Sequence, residues 1–357
     1  MKALKRIIIW VLISLGMQIA VLYYVDNYLF ASEGVSNTIV STKVDDKKEK
    51  EKKDVTILVP EEAKNVSLSY DGMYLSYYDE EALKIIDTYT GKEKSIELED
   101  NLQVSFYRWA PDRNLMLISA KKEYNNSSKF LFYSYDAERD LNEKLETKEQ
   151  NDTALTSNKS AEVEDLQLSP LTNMIYIKTA LSGGRSNIHN INIMKRINKV
   201  DTKATFIGDI RIIPNDDRIA YEAVTKNKVY VTGRENSISI DGVNKLCLID
   251  VDDNDKIYVG ELEENSINGS YKVKNIYYGT IDENMNEWNK VGLPESVNKK
   301  DIYISREGKI YINDNLKGIV TELASQKKIE YKGIFLQVYD GGVASVSEER
   351  LLETPLK

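Results

Sequence analysis

One histidine and one cysteine are all that this chain of 357 residues holds, and each scarcity closes a class of chemistry. With His189 alone, a histidine-rich zinc site is impossible, and a Ser-His-Asp or Cys-His mechanism would have to run through that one residue. Ser186 precedes it by three positions, but there is no Gly-x-Ser-x-Gly elbow. The Gly183-Gly184 pair has no Lys-Ser/Thr partner to cradle a phosphate. His189 therefore reads as a polar loop histidine. Cys247 alone permits no intramolecular disulfide, so burial must hold the fold together. Its setting, Leu246-Cys247-Leu248-Ile249, is an apolar strand-like run that suits a small buried hydrophobe rather than a reactive thiol. Arginine is sparse too: 11 against 37 lysines, a bias typical of AT-rich bacterial coding.

Long apolar runs are also missing, with one exception. From Ile7 to Val25 no residue is charged, directly after Lys2, Lys5 and Arg6. As a helix this run would span roughly 28 Å, close to the thickness of a bilayer's hydrocarbon core. It is too long for the apolar core of a cleaved signal, and Leu29 and Phe30 stand where a cleavage site wants small residues. Trp10 and the group Tyr23, Tyr24 and Tyr28 suit the two interfacial belts. The expectation is one uncleaved transmembrane signal-anchor helix over 7–25, with residues 1–6 in the cytoplasm and the C-terminal body outside it. The net charge is −9; residues 1–31 carry Lys2, Lys5 and Arg6 against Asp26, which leaves −11 on the remainder. An acidic body without a basic stripe argues against nucleic acid as a partner.

A flexible charged linker is expected over 26–54, where residues 32–54 carry mixed charge and almost no apolar content. From residue 55 onward the apolar period is two. In Val66-Ser-Leu68-Ser-Tyr70-Asp71-Gly72-Met73-Tyr-Leu75-Ser-Tyr77, alternating apolar residues flank an Asp-Gly pair, which predicts a hairpin with a type I′ turn. Similar turns recur near 112, 171, 216, 254 and 307, at spacings from about 38 to about 59 residues. A second strand pair follows most of them, as in Leu83-Lys-Ile85-Ile86 through Gly91 to Ile96. Four short strands repeating every 40–50 residues predict a β-propeller, whose blades bury both faces only by stacking. Residues 137–165 interrupt the rhythm and read as a long exposed loop.

The first unit, Leu68-Ser69-Tyr70-Asp71-Gly72-Met73-Tyr74-Leu75 followed by Ile85-Ile86-Asp87-Thr88-Tyr89-Thr90-Gly91-Lys92, resembles the repeat of TolB-like propellers and of the dipeptidyl peptidase IV propeller domain. The resemblance covers about 66–98 well and fades through the Pro-Asp and Ser-Pro turns at 111 and 169. It is one of repeat type, and it implies an all-β propeller over 55–357. Six turn-centred units leave Val55-Thr-Ile57-Leu58 at one end and Ile334 to Val346 at the other, which could pair to close a seventh blade. Seven blades are preferred and six are the alternative; two sandwiches, or a division near 240, are other arrangements. Beyond closure only Glu348 to Lys357 are left over, so no hydrolase half is expected.

The strongest metal-like motif is Asp250-Val-Asp252-Asp-Asn254-Asp255-Lys-Ile257-Tyr-Val-Gly-Glu261. Asp250, Asp252, Asn254 and Glu261 carry oxygen at positions 1, 3, 5 and 12 of a calcium loop. Asp255 stands where that loop wants glycine, and an acidic hairpin tip with Asx turns accounts for the same letters. Paired carboxylates could cleave glycans, but with 57 acidic residues some pair at the right spacing arises by chance. Two classes of function follow. The first is a non-catalytic membrane-tethered propeller binding a peptide, an envelope polymer or a membrane-protein partner. The alternative is a propeller-type extracellular glycan hydrolase or lyase.

Overall fold

The computed structural model describes residues 2–24, 55–79, 82–99, 102–149, 151–263 and 271–356. The chain divides into two compact units, 1–50 and 51–357. In the first, Lys2–Tyr24 forms the helix α1, whose side chains from Ile9 to Tyr24 are all exposed. Among the described residues no helix is long and apolar enough to cross a membrane. The linker expected over 26–54 lies outside the described residues.

The second unit is a seven-bladed β-propeller. Blade one holds β1 (Lys64–Leu68), β2 (Tyr74–Tyr78), β3 (Leu83–Asp87) and β4 (Glu93–Ile96). Blade two holds β5 (Gln103–Trp109), β6 (Leu115–Glu123), β7 (Ser127–Asp136), β8 (Leu141–Lys144) and β9 (Ala154–Asn158). Blade three runs through β10 (Glu162–Leu168), β11 (Ile175–Ala180), β12 (Ser186–Ile191) and β13 (Ile197–Lys199). Blade four has only β14 (Ile207–Ile212), β15 (Ile219–Ala223) and β16 (Lys228–Val231). Blade five contains β17 (Leu246–Val251), β18 (Ile257–Leu262), β19 (Lys272–Gly279) and β20 (Asn289–Asn298). Blade six contains β21 (Ile302–Ile304), β22 (Ile310–Asp314), β23 (Ile319–Glu322) and β24 (Lys328–Glu330). Blade seven is β25 (Ile334–Tyr339), β26 (Gly342–Ser347) and β27 (Arg350–Pro355).

Seven buried apolar clusters lie between these sheets, one at each interface between neighbouring blades. Because both faces of a blade are covered, central strands such as β15 and β18 are buried at every residue and lose the strict alternation of a half-exposed strand. Outer strands such as β4 and β8 are mostly exposed and polar. This corrects the reading of 137–165: β8 and β9 lie end to end along β7, and β10 opens blade three. Many of the polar residues there belong to these strands, which shorter connections join. His189 likewise sits in the strand β12 rather than in a loop.

Blade seven closes the ring with residues from both ends of the unit. Leu58 bridges Arg350, the Val59 amide donates to the Glu349 carbonyl at 2.8 Å, and the Leu351 amide donates to the Ile57 carbonyl at 3.0 Å. The residues that the sequence left over after Val346 are therefore not a tail, since Arg350–Pro355 is β27 itself. In blade four the exposed edge of β16 is capped differently: the Ile238 amide donates to the Val229 carbonyl at 2.8 Å, and Ile238 and Ile240 are buried. No regular fourth strand forms, yet the edge is covered.

The turns joining the first and second strands of the blades form a continuous girdle. Asn114 donates to Asp71 (2.9 Å), and Arg113 donates to the Pro170 carbonyl (3.3 Å). Thr172 donates to Asp217 (2.7 Å), and the Asn215 amide donates to Asp255 (2.8 Å). The Asp253 amide donates to the Arg306 carbonyl (3.0 Å), Arg306 donates to Asp340 (3.2 Å), and the Asp340 amide donates to the Tyr70 carbonyl (3.3 Å). Each bond links one blade to the next, and the last returns to blade one. The Asp71-Gly72 turn is longer than the expected type I′ hairpin. The Ser69 amide donates to the Tyr74 carbonyl, and only Gly72 (φ +77°), not Asp71, is left-handed. Asp71 instead accepts from Ser69 Oγ and from the Met73 amide.

Candidate functional site

The first strands of the blades surround a central cavity of about 550 Å³. All seven contribute to its wall. The residue next to last in each of the first five, just before the turn, is Ser67, Arg108, Gln167, Arg211 and Asp250, and each lines the cavity. Bulges in these strands help to set that direction. Register slips between Val104 and Phe106, Val163 and Asp165, Ile207 and Ile210, and Leu248 and Asp250. An extra residue at such a point bends the strand and re-aims the side chains that follow.

Charges alternate from blade two to blade seven. Arg108 Nη1 lies 2.8 Å from Asp165 Oδ1, and Gln167 Nε2 donates to both oxygens of that carboxylate at 3.1 Å. Arg211 Nε donates to Asp250 Oδ1 at 2.9 Å and its Nη1 to the Ile210 carbonyl at 2.9 Å. At the mouth, Arg306 pairs with Asp253 (2.8 Å) and Asp340 (3.2 Å) and lies over the Tyr70 ring, 5.7 Å from its centroid. Burial pushes the Asp165 carboxyl above its ordinary pKa, against the pull of Arg108 and Arg211. Burial opposes the charge on Arg211, but Asp250, Asp209 and Asp165 outweigh it and raise its pKa. Asp340 is also raised by burial, with Arg306 working against the shift.

Leu68, Trp109, Pro111 and Ile304 also line the channel, Leu68 and Trp109 being mostly buried between blades, and a smaller adjoining cavity of about 240 Å³ at the mouth adds Tyr70, Val338 and Tyr339. Blade seven is clasped to blade one here: the Leu68 amide donates to Gln337 Oε1 at 3.1 Å, and Gln337 Nε2 donates to the Leu68 carbonyl at 3.2 Å. The result is a concave site lined by positioned, paired charges with apolar residues among them.

The four calcium-motif residues have different surroundings. Asp250 faces Arg211 in the channel. Asp252 closes its own turn: Oδ1 accepts from the amides of Asn254 (2.9 Å) and Lys256 (3.0 Å), and Oδ2 accepts from Tyr258 Oη (3.0 Å). Asp255, in the position of the missing glycine, adopts φ +61°. Glu261 stands in β18 with Lys274 (2.9 Å) and Asn275 (2.6 Å). Asp252 and Asn254 thus share one turn, while Asp250 and Glu261 are held by other partners. Among the described residues no group of three or more His, Cys, Asp or Glu side chains is arranged to hold a metal ion.

Cys247 is fully buried in β17, and burial pushes its thiol up to about 12. Burial, then Lys199, lowers the pKa of His189, whose Nδ1 is enclosed without a hydrogen-bond partner. Arg108, Arg211 and Arg306 were not singled out from the sequence as site residues. A signal for two of them is present: Arg108-x-x-Pro111, Gln167-x-x-Pro170 and Arg211-x-x-Pro214 place a long polar side chain at the same offset before a turn proline in three successive units.

No protein-family model and no curated protein matches the sequence. Solved structures match in fold. The β-propeller domain of Myceliophteria thermophila Cps50 (Swd1) is similar with a TM-score of 0.52 at 11% identity, over 85% of this chain and 100% of that one. Porphyromonas gingivalis dipeptidyl peptidase 4 matches with a TM-score of 0.44 at 8% identity, over 74% of this chain and 44% of that one. Pyrococcus horikoshii acylaminoacyl peptidase matches with a TM-score of 0.45 at 14% identity, over 79% of this chain and 49% of that one. The match therefore spans less than half the length of either peptidase chain. At such identities the likeness is one of fold: this chain is a seven-bladed β-propeller.

Proposed function

We propose that this chain is a non-catalytic binding protein, tethered to a membrane by its N-terminal helix, with the channel mouth as its ligand site. The carrying observation is the channel itself, a concave site lined by arginines already positioned by carboxylates. Each aspartate lining it, Asp250 and Asp253, has an arginine partner, an arrangement suited to recognition rather than to proton transfer. A peptide, an envelope polymer or a membrane-protein partner would bind from the girdle side.

Support for the tether comes from α1. Twelve large apolar side chains between Ile9 and Tyr24 are at least half exposed, a surface that water alone does not favour. Lys2, Lys5 and Arg6, in its first turns, support an orientation with the propeller outside the cytoplasm by the positive-inside rule. An alkaline phosphatase fusion after residue 60 should be active, and an inactive one reverses this orientation. For the site, a photo-crosslinker in the full chain at Tyr70, beside the channel mouth, should give a defined adduct in cells. The same group at Leu316, fully exposed in the turn between β22 and β23 on the opposite rim, should not. Equal labelling from both positions would remove the channel mouth as the site.

A further inference from the structure

Every arginine of the channel is already paired. Arg108 is held by Asp165, Arg211 by Asp250, and Arg306 by Asp253 and Asp340, so three guanidinium groups meet four carboxylates. No net positive charge is left for an anion, and each of these carboxylates already has its cation. Leu68 and Trp109 are mostly buried between blades, so an apolar ligand finds little surface either. What the pairs leave over is hydrogen-bonding capacity. Among the described residues, both bonds to the Asp250 carboxylate go to Oδ1, from Arg211 Nε and the Val251 amide, and Oδ2 is left. Arg306 reaches only Oδ2 of Asp253 and only Oδ2 of Asp340, which leaves one oxygen on each. Arg211 uses two of its five N–H donors, on Asp250 and the Ile210 carbonyl. Gln167 turns its Nε2 to Asp165 and keeps Oε1 as an acceptor.

From this pattern we infer that the channel binds a hydroxyl-rich segment of an uncharged glycan, with the Arg211–Asp250 and Arg306–Asp253 pairs as its anchors. The inference rests on the channel being the ligand site, and it selects the polymer among the ligands proposed for it. A hydroxyl both donates and accepts. One sugar hydroxyl can therefore accept from a guanidinium and donate to the remaining oxygen of the paired carboxylate, and the ion pair stays intact. An anionic or zwitterionic ligand must instead compete with pairs already made, and separating one leaves its carboxylate without a partner. The pairs also hold donor and acceptor in place before the ligand arrives, which lowers the ordering cost of binding. The cavity of about 550 Å³ falls within the roughly 300–1,000 Å³ of small-ligand sites.

Calorimetric titration of the full chain tests it with neutral, charged and zwitterionic probes. The neutral ones are cellotetraose, maltotetraose and the tetramer of N-acetylglucosamine. The others are the cationic glucosamine tetramer, anionic tetragalacturonic acid and zwitterionic triglycine. At least one neutral tetramer should bind more tightly than all three of the others. Raising the salt from about 50 to about 500 mM should change its affinity by less than about twofold, because no net charge is exchanged. Arg306→Gln should weaken it about tenfold or more, the loss expected for hydrogen bonds from a charged donor. If that variant fails to fold, Asp253→Asn keeps the size of the side chain and should weaken the same tetramer several-fold. Lys317→Gln, in the exposed turn between β22 and β23 on the opposite rim, should leave it unchanged. Absence of binding by all three neutral tetramers, a steep loss with salt, or preference for a charged tetramer overturns the glycan. Preference for triglycine overturns it in favour of a peptide. In each of these cases the crosslinking from Tyr70 decides on the channel separately: a defined adduct keeps it as the ligand site, and its absence removes the channel too.

Discussion

Lys299 is a mostly buried lysine outside the channel that pairs with two carboxylates. It follows β20 and reaches back between blades, 2.8 Å from Glu222 of β15 and 2.7 Å from Asp209 of β14. Lys299 and Glu222 are only 14% and 7% exposed, so loss of the cation strands a buried carboxylate. Lys299→Met should lower stability by about 3 kcal/mol in a denaturant melt, and adding Glu222→Leu should restore most of it, since replacing both partners removes the unpaired charge. Asp209 is held below its ordinary pKa because Lys299 and Arg211 outweigh its burial. Its contribution is therefore complete above about pH 4, the ordinary aspartate value, and is lost as pH falls through the depressed folded value. The stability gap between native chain and Lys299→Met should accordingly shrink at pH 3. This triad was not legible in the sequence, because Asp209, Glu222 and Lys299 meet only once blades four and five are stacked. Cys247 was legible, since its apolar neighbours already stated its burial.

At the scale of single elements, the turns were the most readable feature. The first-to-second-strand turns near 71, 112, 171, 216, 254 and 307 all lie where turn residues interrupt the period of two. What the turns touch was hidden, because the girdle pairs residues some 35–60 positions apart, and Asp340 with Tyr70 across nearly the whole unit. Gly72 shows the difference. Its φ of +77° follows from the Asp-Gly pair, but a Cβ there would meet Tyr339 Cε2 at 2.5 Å, a contact from blade seven. Gly183 has a similar φ of +75° and open space around it. Gly183→Ala should cost about 1 kcal/mol from backbone strain alone, whereas Gly72→Ala should cost about 2–3 kcal/mol because the clash adds to it, as measured by the shift in urea midpoint. Outer strands were the least readable. β8 exposes nearly all of Leu141–Lys144, so nothing apolar marked it as a strand.

For the whole molecule, the seventh blade decides whether seven sheets make a ring or an open arc. The leftover segments 55–58 and 334–346 pointed to it, and the missing part was β27, which supplies the edge that Ile57–Val59 joins. A chain ending after Glu349 lacks that edge. Amide hydrogen exchange should then speed up not only in blade seven but at Ile57, Val59 and the blade-one residues Leu68 and Leu75 packed with them; unchanged protection in blade one would mean that the ring holds without closure.

The same closure imposes an order in time. Ile57–Val59 leaves the ribosome early, but its partner Arg350–Pro355 is made 293 residues later, which at ordinary translation rates is roughly 15–60 s. Throughout that interval the flank of blade one formed by Leu75 and Ile86 has no neighbour. A nascent propeller of this kind offers holding chaperones one defined apolar face, and β27, synthesised long after it, is the strand that withdraws it.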